Sequence, residues 1–224
     1  MKRPSSLAIY AFLYLLFLYL PVLFLPLFSF NDGTIVAFPI KGWTLEWYRQ
    51  LSGQETLIQA LLNSLMVGLL SALLATSLGL FAARAYVRYR FRGKKASEGL
   101  VMLPLVIPGI IVASSMLVLF ISIGIKPSLT AVTLGHVFLA LPFSVSIMKS
   151  AFDDFDPSLE EAAFDLGSSV VETFRRVTLP IVAPGIVASL LVTFTVSFDE
   201  FVLAFFLSGN QPTLPVYIWS QIRF

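Results

Sequence analysis

Residues 156–198 read DPSLEEAAFDLGSSVVETFRRVTLPIVAPGIVASLLVTFTVSF, and the change of character inside this run decides the fold. Up to Arg176 the stretch is studded with charge, whereas from 177 to 198 it holds no Asp, Glu, Lys or Arg. About 20 predominantly apolar residues in a helix are needed to cross about 30 Å of hydrocarbon. The second half of the run is therefore a membrane span, placed at about 181–207. Four other intervals lack charge in the same way: 4–31, 56–83, 99–125 and 127–148. Together they predict five spans, at about 7–30, 58–83, 99–123, 128–150 and 181–207. Composition agrees, since hydrophobic residues make up 57% of the chain and charged residues 12%, about half the usual share for a globular domain. The expected fold class is an all-α integral membrane protein, one helical bundle over residues 1–224.

The charged half of the run is the segment that faces water. A helix–turn–helix lying on the membrane surface is the natural reading of 151–179. Pro157 suits the first helical position after an Asp156 cap, and Ser158 with Glu161 offers an alternative capping box. Acids in the first turn oppose the helix dipole favourably. Gly167 is placed to take the left-handed conformation that ends a helix, and a second short helix, Val170–Val177, runs basic through Arg175 and Arg176 toward Pro180.

Lysine and arginine set the orientation. Segments 1–6, 84–98 and 149–180 carry eleven of them: Lys2, Arg3, Arg84, Arg88, Arg90, Arg92, Lys94, Lys95, Lys149, Arg175 and Arg176. The other side holds four, Lys41, Arg49, Lys126 and Arg223. The N-terminus is thus expected in the cytoplasm, and five crossings leave the C-terminus outside. The first apolar run is too long for a signal peptide and no small-residue cleavage site follows it, so it is read as an anchor. Within the spans, Gly68, Ser71, Ala75 and Gly79 allow close helix approach. Pro104 and Pro108 predict a kink or break in the third span, tolerated only against protein or a water-filled cavity.

Glu161, Ala162, Ala163, Gly167, Leu179 and Pro180 stand at the spacing of the EAA loop, and this loop resembles that of ABC importer permeases, with Val177 where the family prefers Ile. Further segments extend the likeness over nearly the whole chain: Ser29–Asn31, Trp43–Tyr48, Tyr89–Lys94, Ser197–Glu200 and Leu214-Pro215. These are similar to the second permease subunit of spermidine/putrescine-type importers. The resemblance implies a permease fold in which the short helix docks into a cytoplasmic ATPase dimer. It also implies a second permease subunit as a related heterodimer partner, and an extracytoplasmic solute-binding protein. ATP and Mg would be held by the ATPase, with no cofactor bound by this chain, and the site would be the bacterial plasma (inner) membrane. Such permeases continue into a sixth span, whereas this sequence stops at Phe224, so a truncated chain is the expectation.

Asp199 and Glu200 are the acids of the fifth span. Near the middle of a membrane section such groups face a cavity or a partner, and neighbours on a helix point about 100° apart. They are candidates for lining a polycation pathway, or alternatively a structural pair with a partner subunit or backbone donors. The basic run Arg84–Lys95, with Tyr86, Tyr89 and Phe91 between its charges, satisfies the positive-inside rule and is not read as a nucleic-acid face. His136 has no second His or carboxylate at ligand spacing, and no cysteine is present, so no metal site and no membrane enzyme are expected. No G-x-x-x-x-G-K-[ST] loop exists to hold phosphates. The reading is an ATP-driven importer permease, for polyamines first or another small solute, with a secondary transporter or channel as the rival.

Overall fold

A computed structural model describes residues 6–33 and 38–223; Lys2 and Arg3, two of the charges that set the N-terminus, lie outside the described residues. Among the described residues the regular structure is helical apart from one isolated bridge, Asn31 to Trp43. It groups into two units, residues 1–58 and 59–224.

In the first unit α1 (Ser6–Ser29) runs unbroken through Pro21 and Pro26, with no residue buried. Asn31 then organises the turn away from it. Its Oδ1 accepts from the backbone N–H of Gly33 and of Lys41, each at 3.2 Å. Its carbonyl accepts from the Trp47 indole at 2.9 Å, which fixes the start of α2 (Glu46–Ser52).

The helix α3 (Glu55–Arg88) runs from the end of the first unit into the second, and its 34 residues span about 51 Å. That exceeds the hydrocarbon thickness, so its last turns emerge into the polar region. The third predicted span is two helices, α4 (Lys94–Met102) and α5 (Gly109–Ser122), bent by 104°. A 3₁₀ turn at Leu103–Leu105 and the extended Pro108 (ψ 129°) make the bend, as two donor-less residues four apart require. The kink or break expected in the 99–123 segment is thus a sharp bend between two helices.

Next comes α6 (Leu129–Asp153), capped by Ser128. The surface pair follows, α7 (Ser158–Asp165) and α8 (Val170–Thr173), joined through Gly167 at φ 86°. The expected end of the second surface helix at Val177 is not seen. A π turn at Phe174–Thr178 carries it into α9 (Leu179–Phe198). Pro180 cannot donate to the turn below and its ring crowds that carbonyl; widening the turn accommodates both effects without breaking the helix. The fifth span is also shorter than 181–207, because α9 stops at Phe198 and the chain restarts as α10 (Val202–Leu207) before α11 (Leu214–Arg223).

In a membrane, helix association relies on close packing and hydrogen bonds rather than hydrophobic force. The structure supplies both where α3, α6 and α9 meet. A Cβ on Gly79 of α3 would collide with the Ser144 hydroxyl of α6. Beside this contact the Ser189 hydroxyl donates to Ser144 Oγ at 2.9 Å and lies 3.0 Å from Thr76 Oγ1, all of it buried. Toward the other end, α10 packs against α5 and α6 in an apolar cluster that includes Phe120, Val132, Leu203 and Leu207.

Gly79→Ala is expected to destabilise the bundle by about 1–3 kcal/mol through overpacking. Gly99→Ala, where a Cβ meets nothing within 4 Å, should be neutral or slightly stabilising. Thermal unfolding of the two variants in one detergent reads the difference.

Candidate functional site

The helix α7 has two faces with different employment. Asp156 starts it: Oδ1 accepts from the Ser158 N–H at 2.9 Å. That backbone bond, then the Ser158 side chain, holds the Asp156 carboxyl below its ordinary range. On the outer face Glu161, Ala162 and Gly167 are exposed and Ala163 is half-buried. Large apolar side chains stand uncovered beside them: Leu159, Phe164, Val171, and Leu166 at 88% exposure. An exposed apolar patch rimmed by acids has the character of an interaction surface.

The inner face rests on one carboxylate. Glu160 is 8% exposed and lies between the last turns of α3 and the root of α9. Its Oε1 is 3.6 Å from Arg84 Nη2, its Oε2 is 3.5 Å from Arg88 Nη2, and the Thr178 hydroxyl donates to Oε1. Phe174 lies under the Arg84 guanidinium at 4.5 Å and Phe155 under that of Arg88 at 4.9 Å, adding cation–π attraction in a partly desolvated setting. Losing Glu160 costs about 3–5 kcal/mol, because it leaves two guanidiniums shielded from water without a counter-charge.

Of the loop positions singled out from sequence, Glu161, Ala162, Ala163 and Gly167 therefore share the exposed region of α7. Leu179 and Pro180 stand apart, in the first turn of α9, where Leu179 packs on the buried cluster of Leu80, Met148 and Phe152. Glu160 was not among them, and Arg84 and Arg88 were counted only as loop charges. A signal existed: consecutive acids on a helix point about 100° apart, so one of Glu160 and Glu161 had to face inward. Arg84 and Arg88, four apart, share one face of α3.

Asp199 and Glu200 are not mid-helix, as the sequence had led us to expect. They occupy the break between α9 and α10, at the end of α9 remote from α7. The break is self-capped. Glu200 accepts from the backbone N–H groups of Val202, Leu203 and Ala204 at 3.0, 2.8 and 3.3 Å, satisfying amides that a helix start leaves open. Its Oε2 is also 3.4 Å from Nε2 of His136, which is 1% exposed and has Nδ1 2.7 Å from Ser197 Oγ. Glu200 is thereby occupied with backbone and His136, the second of the two roles left open for it. Asp199 is exposed and forms no ion pair among the described residues.

A family model described as "Binding-protein-dependent transport system inner membrane component" matches residues 75–223. The chain is 36% identical over 224 residues to the spermidine/putrescine transport system permease protein PotC of Haemophilus influenzae, covering 100% of this chain and 85% of that one. PotC of Escherichia coli K12 is 36% identical over 217 residues, with 96% and 80% covered. The putrescine transport system permease protein PotI of the same strain is 33% identical over 205 residues, with 88% and 73% covered. Among solved structures, a bacterial ABC transporter involved in the import of the acidic polysaccharide alginate superposes with a TM-score of 0.76 at 15% identity. It covers 99% of this chain and 82% of that one, a likeness of fold alone.

Two outcomes follow from the geometry. Glu200→Ala should lower stability in detergent by about 2 kcal/mol, through the lost cap and the orphaned amides, while Asp199→Ala leaves the melting temperature within about 1–2 °C. For Asp156 the folded pKa is depressed, so its contribution is present above the unfolded value and fades as pH falls through the folded one. Amide protection factors at the start of α7, corrected for the intrinsic exchange rate, should therefore fall below about pH 4, and Asp156→Asn should remove that pH dependence.

Proposed function

Since the chain belongs to the binding-protein-dependent transport system inner membrane component family, we propose that it forms one of two permease halves of an ATP-driven polyamine importer, paired with a related but distinct permease chain. Membership makes it a multi-pass inner-membrane transport subunit that works with an ATPase, a second permease subunit and a binding protein. The finer assignment rests on one observation above others: α7 presents an uncovered apolar and acidic face while its opposite face is ion-paired to α3. A cytoplasmic ATPase dimer grips that face through Glu161, Ala162 and Ala163, with Gly167 setting the turn. The ATPase holds ATP and Mg, and its closure moves α7. The spans then exchange inward-open for outward-open, and solute enters from the binding protein. In this reading α7 faces the cytoplasm, and the distribution of lysine and arginine supports a cytoplasmic N-terminus as well.

The solute class is supported by the relatives whose names specify spermidine and putrescine and by the exposed carboxylate of Asp199. A polycation passing the break between α9 and α10 meets Asp199, because Glu200 is held by backbone amides and His136. The fold neighbour works on an acidic polysaccharide by its title, so the fold itself does not select the solute, and a permease for another small solute is the second reading. A secondary transporter or channel has no use for the exposed α7 face.

The complete importer in proteoliposomes, with its binding protein, is the system for the test. Spermidine or putrescine should stimulate ATP hydrolysis, and Asp199→Asn should weaken the stimulation about tenfold. Stimulation only by an anionic or neutral solute discards the polyamine assignment. Gly167→Asp or Glu161→Lys should abolish co-purification of the ATPase; retention in both variants discards docking through α7.

A further inference from the structure

The surface loop is tied to its flanking spans by the chain itself, through α6 before it and α9 after it. Nothing covalent ties it to α3, which is 72 residues earlier in sequence at Arg88. Among the described residues the ionic connection between them is Glu160, with Arg84 and Arg88. The two guanidiniums stand one turn apart on α3 and both reach the Glu160 carboxylate, all nearly buried and braced by the Phe174 and Phe155 rings, so the junction is short and laterally confined.

We infer that Glu160 is a positioning residue for coupling: it passes displacement of α7 to α3 through Arg84 and Arg88, while the adjacent Glu161 faces the partner that causes the displacement. The inference rests on the docking of α7 proposed above and adds the route by which its motion enters the bundle. Three features carry it. The carboxylate is engaged by separate guanidiniums on separate oxygens, so a push along α7 and a pull away from α3 are both resisted. Thr178 donates to the same carboxylate, which ties the root of α9 into the junction. On the far side of these residues, α3 is coupled to α6 and α9 through Gly79 and the Thr76–Ser189–Ser144 hydroxyls, so displacement of its last turns is passed on rather than absorbed. A group whose only work is to hold the loop shape would sit within the loop; this one reaches out of it.

The test uses the complete importer with spermidine on its binding protein, and three chains: wild type, Glu160→Gln and Arg84→Gln. Arg84→Gln is the gentler change, because it leaves Glu160 and Arg88 as a balanced pair. Co-purification of the ATPase is measured first, then ATP hydrolysed per spermidine imported. We expect both variants to retain the ATPase, with the ratio raised about tenfold in Glu160→Gln and about threefold in Arg84→Gln, since hydrolysis continues while the spans follow it poorly. Should Glu160→Gln fail to assemble, Arg84→Gln decides by the same ratio. An unchanged ratio with the ATPase retained overturns the inference, as does loss of the ATPase from both variants, which would make the junction a scaffold alone. Gly167→Asp runs alongside: if that chain still captures the ATPase, the docking of α7 fails, a result separable from any change in ratio.

Discussion

A carboxylate lodged between two guanidiniums is the constraint on which the surface-loop end of this protein depends. Glu160, Arg84 and Arg88 are each largely shielded from solvent, and desolvated charges persist only where they compensate one another. That requirement fixes several things at once. It holds the last turns of α3 against α7, so α3 has to be long enough to leave the hydrocarbon. It turns Glu161 outward, because the neighbouring position is committed inward. It also calls for flat rings beneath the guanidiniums, which Phe155 and Phe174 provide. Removing the carboxylate would strand two cations, so the junction depends on Glu160 more than on either arginine.

Inside the bilayer the constraint changes kind. The bundle cannot gain much by hiding apolar surface from lipid, so shape and hydroxyl pairing decide which helices touch. The small residues of α3 are the visible device: Gly68, Ser71, Ala75 and Gly79 are all buried, and Ser71 donates to the Thr133 carbonyl at 3.3 Å. At the opposite end, Asn63 donates to the Pro212 carbonyl and Ser64 accepts from the Leu214 N–H, tying α3 to the segment before α11. One helix therefore makes polar contacts near both of its ends and along its middle, which explains why its sequence mixes Asn, Ser, Thr and Gly into an otherwise apolar run.

Much of this was legible from residue order. Charge-free intervals located the helices because burying a charge in hydrocarbon is costly enough to exclude it, and Gly167 announced its turn because a positive φ strains other residues. Pro104 and Pro108 gave away the bend. What escaped was non-local. Glu160 looks like Glu161 until α3 is folded back beside it. The break after Phe198 carries no proline or glycine, and depends on a side chain, Glu200, taking the place of helical carbonyls as acceptor. The continuity of α8 into α9 was hidden for the converse reason, since Pro180 reads as a stop and a widened turn lets the helix pass. Propensity describes a residue in its own segment, and these three features are decided by neighbours far along the chain or by geometry outside the usual repertoire.

The unequal employment of Asp199 and Glu200 has a consequence for throughput. In the proposed pathway a cation at this level would meet one free carboxylate rather than two. At about 4 Å a single charge in a wet, high-dielectric setting attracts another by about 1–4 kcal/mol. Two acting together would roughly double that and lengthen each stay by orders of magnitude. A conduit that must let go of its cargo on every cycle is served by a shallow well. In that pathway the cap on α10 would act as an attenuator, its backbone amides and His136 occupying the carboxylate oxygens that a passing cation would otherwise meet.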